Sequence, residues 1–161
     1  RNCGYFEDLS RSQVYELWER IGQQVARSAA GQLSESQLDD LERSVATCAE
    51  GEPVNEAQRR AQRQAELDFH RILMAACPNP MIRFLGNFIN DLLGDFAAYR
   101  DVIEPEGERF RQENLEAHRD LIDALRDGDT ERAEALMHAH IHDAGCFLSA
   151  READIERQLL L

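Results

Sequence analysis

The sequence predicts an all-α fold, an antiparallel bundle of six helices, or seven if the last residues form a short helix of their own. Two observations carry this. Apolar residues recur at intervals of three and four along most of the chain, the period of a helix with one buried face. Capping residues and breakers then cut the pattern into segments of ordinary helix length, joined by connections short enough to make successive helices neighbours.

Ser10 with Gln13 is a capping box, and the helix it opens turns Val14, Leu17, Ile21, Val25 and Ala29 inward before Gly31 ends it. Ser34 with Gln37 repeats the device for a second helix, whose stripe is Leu38, Leu41, Val45 and Cys48 and whose stop is Gly51 and Pro53. A third helix follows over about 54–77. Its first half is polar and rich in arginine, and its second half is apolar around Phe69, Leu73 and Cys77. Asn79-Pro80 sets the fourth, with a cap and then proline at the first helical position. That helix carries a broad apolar face of Phe84, Leu85, Phe88, Ile89, Leu92 and Leu93, suited to a core or to a dimer surface, and Gly86 and Gly94 admit a close neighbour. Glu104-Pro105 ends it. The fifth helix, roughly 106–126, points Phe110, His118, Leu121, Ile122 and Leu125 inward, and Asp127-Gly128-Asp129 turns it into the sixth. There Ala133, Leu136, Met137, His140, Ala144, Phe147 and Leu148 form the stripe.

With 161 residues the chain suffices for one well-buried domain, here 10–161, preceded by a short aromatic segment over 1–9. Its net charge of -13 repels a phosphate backbone and an acidic membrane surface alike. No run reaches the ~18 apolar residues of a membrane span. Four scattered cysteines without a CxxC pair fit a reduced, cytoplasmic setting, with Cys77 and Cys146 read as small core residues.

Three histidines stand where hydrophobic residues are expected: His70, His118 and His140, each on a different helix. Glu66 precedes His70 by four residues, so the two share a helical face. One buried histidine is ordinarily a core residue with a hydrogen-bond partner. Three of them beside a carboxylate favour one shared cation, which satisfies all the imidazoles together, and the donor set suits zinc, nickel, manganese or iron(II). His138 and His142 lie about 200° from His140 around their helix and fall outside its stripe. HExxH, a Gly-rich phosphate loop and a nucleophile elbow are all absent.

These residues also resemble a known family, the C-terminal effector-binding (FCD) domain of FadR-type regulators in the GntR superfamily of bacterial transcription factors. Gly4-Tyr5-Phe6-Glu7 resembles the end of the wing closing that family's N-terminal winged helix-turn-helix domain, and Leu9 to Arg20 resembles its first helix. Glu66-Leu67-Asp68-Phe69-His70 resembles an Asp-x-x-Phe-His element, with glutamate in place of the aspartate. His118 through Ala124, Gly128-Asp129, Ala133, Met137 and His140 follow the family's second signature.

The resemblance implies that Glu66, His70, His118 and His140 hold a divalent cation, zinc or nickel foremost, at the floor of an effector pocket. It further implies a small carboxylate metabolite as effector, with Arg20, Arg63 and Arg100 as the guanidiniums that pair with it. The domain is then a homodimerising sensor that reaches operator DNA only through an N-terminal domain, and it is not an enzyme. A helical metalloenzyme or metal-binding bundle using the same histidines is the alternative, and it lacks an identifiable general base.

Overall fold

The computed structural model describes the backbone of residues 10–103 and 108–159, and the side chains of residues 10, 12–94, 109–147, 149 and 150. Within that description the protein consists of six helices and no strand. They are α1 (Arg11–Ala29), α2 (Glu35–Cys48), α3 (Glu56–Ala76), α4 (Pro80–Ile103), α5 (Glu108–Asp127) and α6 (Thr130–Leu159). No described helix is long and apolar enough to cross a membrane. The aromatic segment over 1–9 and the Glu104-Pro105 stop lie outside the described residues.

The helix ends form as the capping residues dictate. Ser10 and Ser34 each complete a capping box, with Gln13 and Gln37 returning hydrogen bonds to the cap backbone. α3 starts two residues later than expected, because Asn55 takes the cap and accepts from the Gln58 amide at 2.9 Å. Asn79 caps α4 by accepting from the Met81 amide at 2.9 Å, and Asp129 caps α6 by accepting from the Arg132 amide at 3.1 Å. At the far end, α6 runs unbroken to Leu159, so the C-terminal residues add no seventh helix within the described chain.

α1 lies chiefly along α6 and also meets α3 and α4, while α2 packs on α3 and α5. The core between them is built on Phe69, Leu41, Leu73, Leu121, Leu125, Met137 and Ile141. One inward assignment fails. Leu17 is exposed, and its neighbour Trp18 is buried instead. Trp18 sits near the centre of the stripe that Val14, Ile21, Val25 and Ala29 define, whereas Leu17 is about 80° from that centre. Cys146, expected in the core, is likewise exposed, while Cys77 is buried as expected.

Two glycines lock the turn ends together. Gly31 and Gly128 both take left-handed backbone, at φ +70° and +69°, and a Cβ on Gly31 would stand 3.3 Å from the Gly128 Cα. The Gly31 amide donates to the Leu125 carbonyl at 2.9 Å, which ties the end of α1 to the end of α5. A side chain at Gly31 meets both the left-handed penalty and this backbone contact. Gly31→Ala is therefore expected to lower unfolding stability by about 1–2 kcal/mol, read as a lower urea midpoint at unchanged slope.

Candidate metal centre

α3 supplies two donors from one face, Glu66 and His70. α5 supplies His118, and α6 supplies His140. One ligand atom from each of these four residues lies within 4.8 Å of the others. His118 Nε2 is 3.4 Å and His70 Nε2 is 3.7 Å from the same Glu66 oxygen, Oε1. The other oxygen, Oε2, accepts from Asn114 Nδ2 at 3.3 Å, one turn before His118 on α5. The carboxylate is thus held with one oxygen turned to the imidazoles.

Aromatic packing fixes the rings. Trp18 meets His70 edge-on with centroids 5.5 Å apart, and Phe69 lies 4.2 Å from the His118 ring. The His118 and His140 centroids are 4.4 Å apart, and His70 and His140 stack at 5.6 Å. All three histidines are buried, His118 to 2% exposure.

His118 Nε2 has no hydrogen-bond partner; its 3.4 Å approach to Glu66 is in reach but out of hydrogen-bonding alignment. A buried polar atom left unpaired costs about 1–3 kcal/mol. A cation bound at about 2.1 Å by each ligand needs donors roughly 3–4 Å apart, so small rotations of the four side chains bring them into range.

The electrostatics suit a cation as well. Burial alone would raise the Glu66 carboxyl, but His118, His70 and His140 together overcome it and hold the group well below its ordinary 4.5. Burial pushes His118 below 6.5, against the pull of Glu66, and pushes His140 well below it, with His118 and His70 adding to the effect. At neutral pH the carboxylate is charged and these two rings are neutral, the forms that donate lone pairs to a metal.

A cavity of about 220 Å³ adjoins the four donors and counts Glu66, His70 and His140 among its walls. Of the three arginines expected there, Arg63 is in the wall, its guanidinium largely buried and 3.2 Å from Glu56. Arg20 is not: it is exposed and pairs with Glu16 at 3.3 Å, because it stands about 200° around α1 from the inward Trp18. Arg100 is on α4, and its side chain lies outside the described residues.

Sequence reasoning missed Arg59, Arg111 and Asn114, which also line the cavity. Helical phase carried the signal. Arg111 and Asn114 precede His118 by seven and four residues, and Arg59 and Arg63 precede Glu66 by seven and three. His138 and His142 face solvent, as their phase required.

Residues 13–143 match the family of the FCD domain. The chain belongs to that family. Among solved structures, a Streptococcus agalactiae GntR is similar, with a TM-score of 0.67 and 22% sequence identity over 87% of this chain. That likeness is one of fold, and this chain spans 62% of the length of that protein. No curated protein matches the chain.

The buried imidazoles give this FCD domain a definite acid response when no metal is present. A histidine whose folded pKa is lowered contributes stability that is present above its unfolded value and lost as pH falls below it. His118 and His140 place that loss below 6.5. Glu66, lowered from 4.5, acts in the same sense but only at more acid pH. Chelator-treated protein is therefore expected to melt progressively lower between about pH 6.5 and 5, and a flat melting profile over that window would contradict the buried-imidazole arrangement.

Proposed function

We propose that this FCD domain is the sensing half of a GntR-type transcription regulator, responding to a small carboxylate metabolite beside a bound divalent cation. The single observation that carries the reading is the unpartnered His118 Nε2, converging with Glu66, His70 and His140, which line a cavity that also contains Arg63 and Arg111. Glu66, His70, His118 and His140 would hold the cation. Three imidazoles with one carboxylate favour borderline metals, zinc or nickel before manganese or iron(II). Such a cation supplies positive charge and exchangeable positions that a carboxylate oxygen can occupy.

The chain's own residues account for selectivity. Arg63 on α3 and Arg111 on α5 bring guanidiniums to the cavity from two directions, and a guanidinium binds a carboxylate through a fork of two donors. Trp18, Leu115 and Ile141 supply apolar wall against the rest of a small molecule. A cavity near 220 Å³ restricts the effector to a few carbons, a hydroxy acid or sugar acid rather than a fatty acid.

DNA reading belongs to an N-terminal domain outside this chain, because a net charge of -13 repels the duplex. The effector controls that domain only if it binds one helix arrangement more tightly than another. Among the described residues Cys48, Cys77 and Cys146 form no disulfide, which fits a regulator working in the cytoplasm.

Metal analysis tests the site. Protein purified without chelator is expected to retain about one equivalent more zinc or nickel than His118→Ala, and equal metal content in the two would end the assignment. With metal present, a thermal-shift screen of small carboxylates should yield a hit that Arg111→Ala weakens roughly 10- to 100-fold, the loss of a charged hydrogen-bonding pair.

A second copy of the chain is the partner that the exposed face of α4 fits. Met81, Phe84, Leu85 and Phe88 recur at helical spacing on that face and all stand exposed. Phe84→Asp is expected to convert a dimer to a monomer in light scattering, with the helical content unchanged.

A further inference from the structure

α6 carries a second line of ligating side chains, opposite the ridge that holds His140. His138, His142 and Cys146 follow one another at intervals of four, so they form a single ridge of the helix. That ridge runs along the edge where α6 lies on α1, and α1 presents Glu19 to it. His142 Nδ1 is 3.0 Å from Glu19 Oε1, and His138 Nδ1 is 3.9 Å from Glu19 Oε2. One carboxylate therefore sits between two imidazoles, an oxygen towards each.

Several features set this cluster apart from an ordinary surface ion pair. The Glu19 side chain is only 20% exposed, and among the described residues no arginine or lysine pairs with it; the adjacent Arg20 turns to Glu16 instead. Histidines four apart on one helix can reach the same ion, and a facing carboxylate completes the two-histidine, one-carboxylate set that zinc accepts in open sites. Two adjacent ligands of a cation with bonds of about 2.1 Å lie roughly 3.0–3.4 Å apart. Glu19 and His142 already have that separation. His138, about half exposed, closes the remainder by rotating its side chain.

The other nitrogen of His142 is also occupied. Nε2 lies 3.5 Å from Cys146 Sγ: without a cation Nδ1–H donates to Glu19 and Nε2 accepts from the thiol, and a cation taking Nδ1 shifts the ring proton to Nε2, where the sulfur accepts it. The hydrogen bond made by one ring nitrogen selects which nitrogen ligates, so Cys146 acts as a positioning residue.

We infer that Glu19, His138 and His142 form a second, peripheral site for a borderline transition-metal cation such as zinc, cobalt(II) or nickel, bridging α1 and α6. The imidazole nitrogens select against magnesium and calcium, which take oxygen ligands. The site shares no ligand with the buried cluster and does not depend on it. Because it clips the helix carrying Trp18 to the helix carrying His140, occupancy also stiffens two walls of the cavity.

The full chain, stripped of metal with chelator and titrated with cobalt(II), tests this. Wild type is expected to bind one equivalent more than the His138→Gln/His142→Gln double variant, and Glu19→Gln to weaken that equivalent at least tenfold. His138 and His142 are exposed and Glu19→Gln is isosteric, and circular dichroism verifies that each variant is folded. In His118→Ala the buried cluster is disabled, so the cobalt that remains should be the equivalent the double substitution removes. Equal stoichiometry in wild type and the double variant would overturn the site and leave only a hydrogen-bonded Glu19–His142 pair. Displacement of that cobalt by equimolar magnesium would overturn the metal class.

Discussion

Three imidazoles buried around one carboxylate form the constraint to which the rest of the bundle conforms. Each ring occupies core volume that a leucine or methionine could have filled, and each brings two nitrogens that a dry interior leaves unsatisfied. The bundle accommodates them by dividing the donors among α3, α5 and α6 and closing aromatic rings around them, with Trp18 against His70 and Phe69 against His118. Asn114 fixes the carboxylate from its far side. Within this cluster, what the packing leaves unmet is His118 Nε2. Phenylalanine would fill the same space without the cost of an unpaired buried nitrogen, which is why this atom supports the proposed metal site.

α6 shows how one helix can serve two kinds of surface. Ala133, Met137, His140 and Ile141 form the ridge that enters the core, and His138, His142 and Cys146 form the one that leaves it. Small residues let its partner come close enough for both. Gly22 of α1 sits where a Cβ would run into Ile141 and Met137, and Gly145 of α6 sits against Tyr15. Gly86 and Gly94 do the same between α4 and α3, against Met74 and Leu67. Close axes leave little slack, so displacing α1 along α6 has to move Trp18 relative to His70.

The fold was legible because its information is local. Caps at Ser10, Ser34, Asn79 and Asp129 and left-handed glycines at 31 and 128 are set by nearest neighbours in sequence, and the structure places them where that chemistry puts them. The four donors were legible for a related reason: a histidine inside an apolar stripe is conspicuous, and helical phase alone separates His140 from His138 and His142. The cavity wall was harder. Arg59 and Arg111 share the faces of Glu66 and His118, but phase alone does not say whether such a face borders a hollow or bulk water. Arg20 was implied by the family resemblance and not by helical phase, and it is exposed and paired with Glu16. Leu17 and Trp18 were separable by phase, since Trp18 stands nearer the centre of the stripe that Val14, Ile21, Val25 and Ala29 define.

The same geometry bears on how a sensor of this design could work. On the proposed reading, a cation held by α3, α5 and α6 would pin three helices at one point, with guanidiniums from α3 and α5 lining the adjoining cavity. A ligand that touches both the cation and the arginines therefore adds little new constraint between α3 and α5, which the donors already join. α1 contributes no donor to the buried cluster and meets it through Trp18, which leaves it free of that pin. α1 is also the first described helix, the one next to whatever precedes this domain in the chain. On that reading, coupling between the cavity and a DNA-reading domain would be set by how differently the effector contacts the α1 wall in its two positions. A tenfold response requires only about 1.4 kcal/mol of such difference, within reach of one aromatic contact with Trp18 or Tyr15.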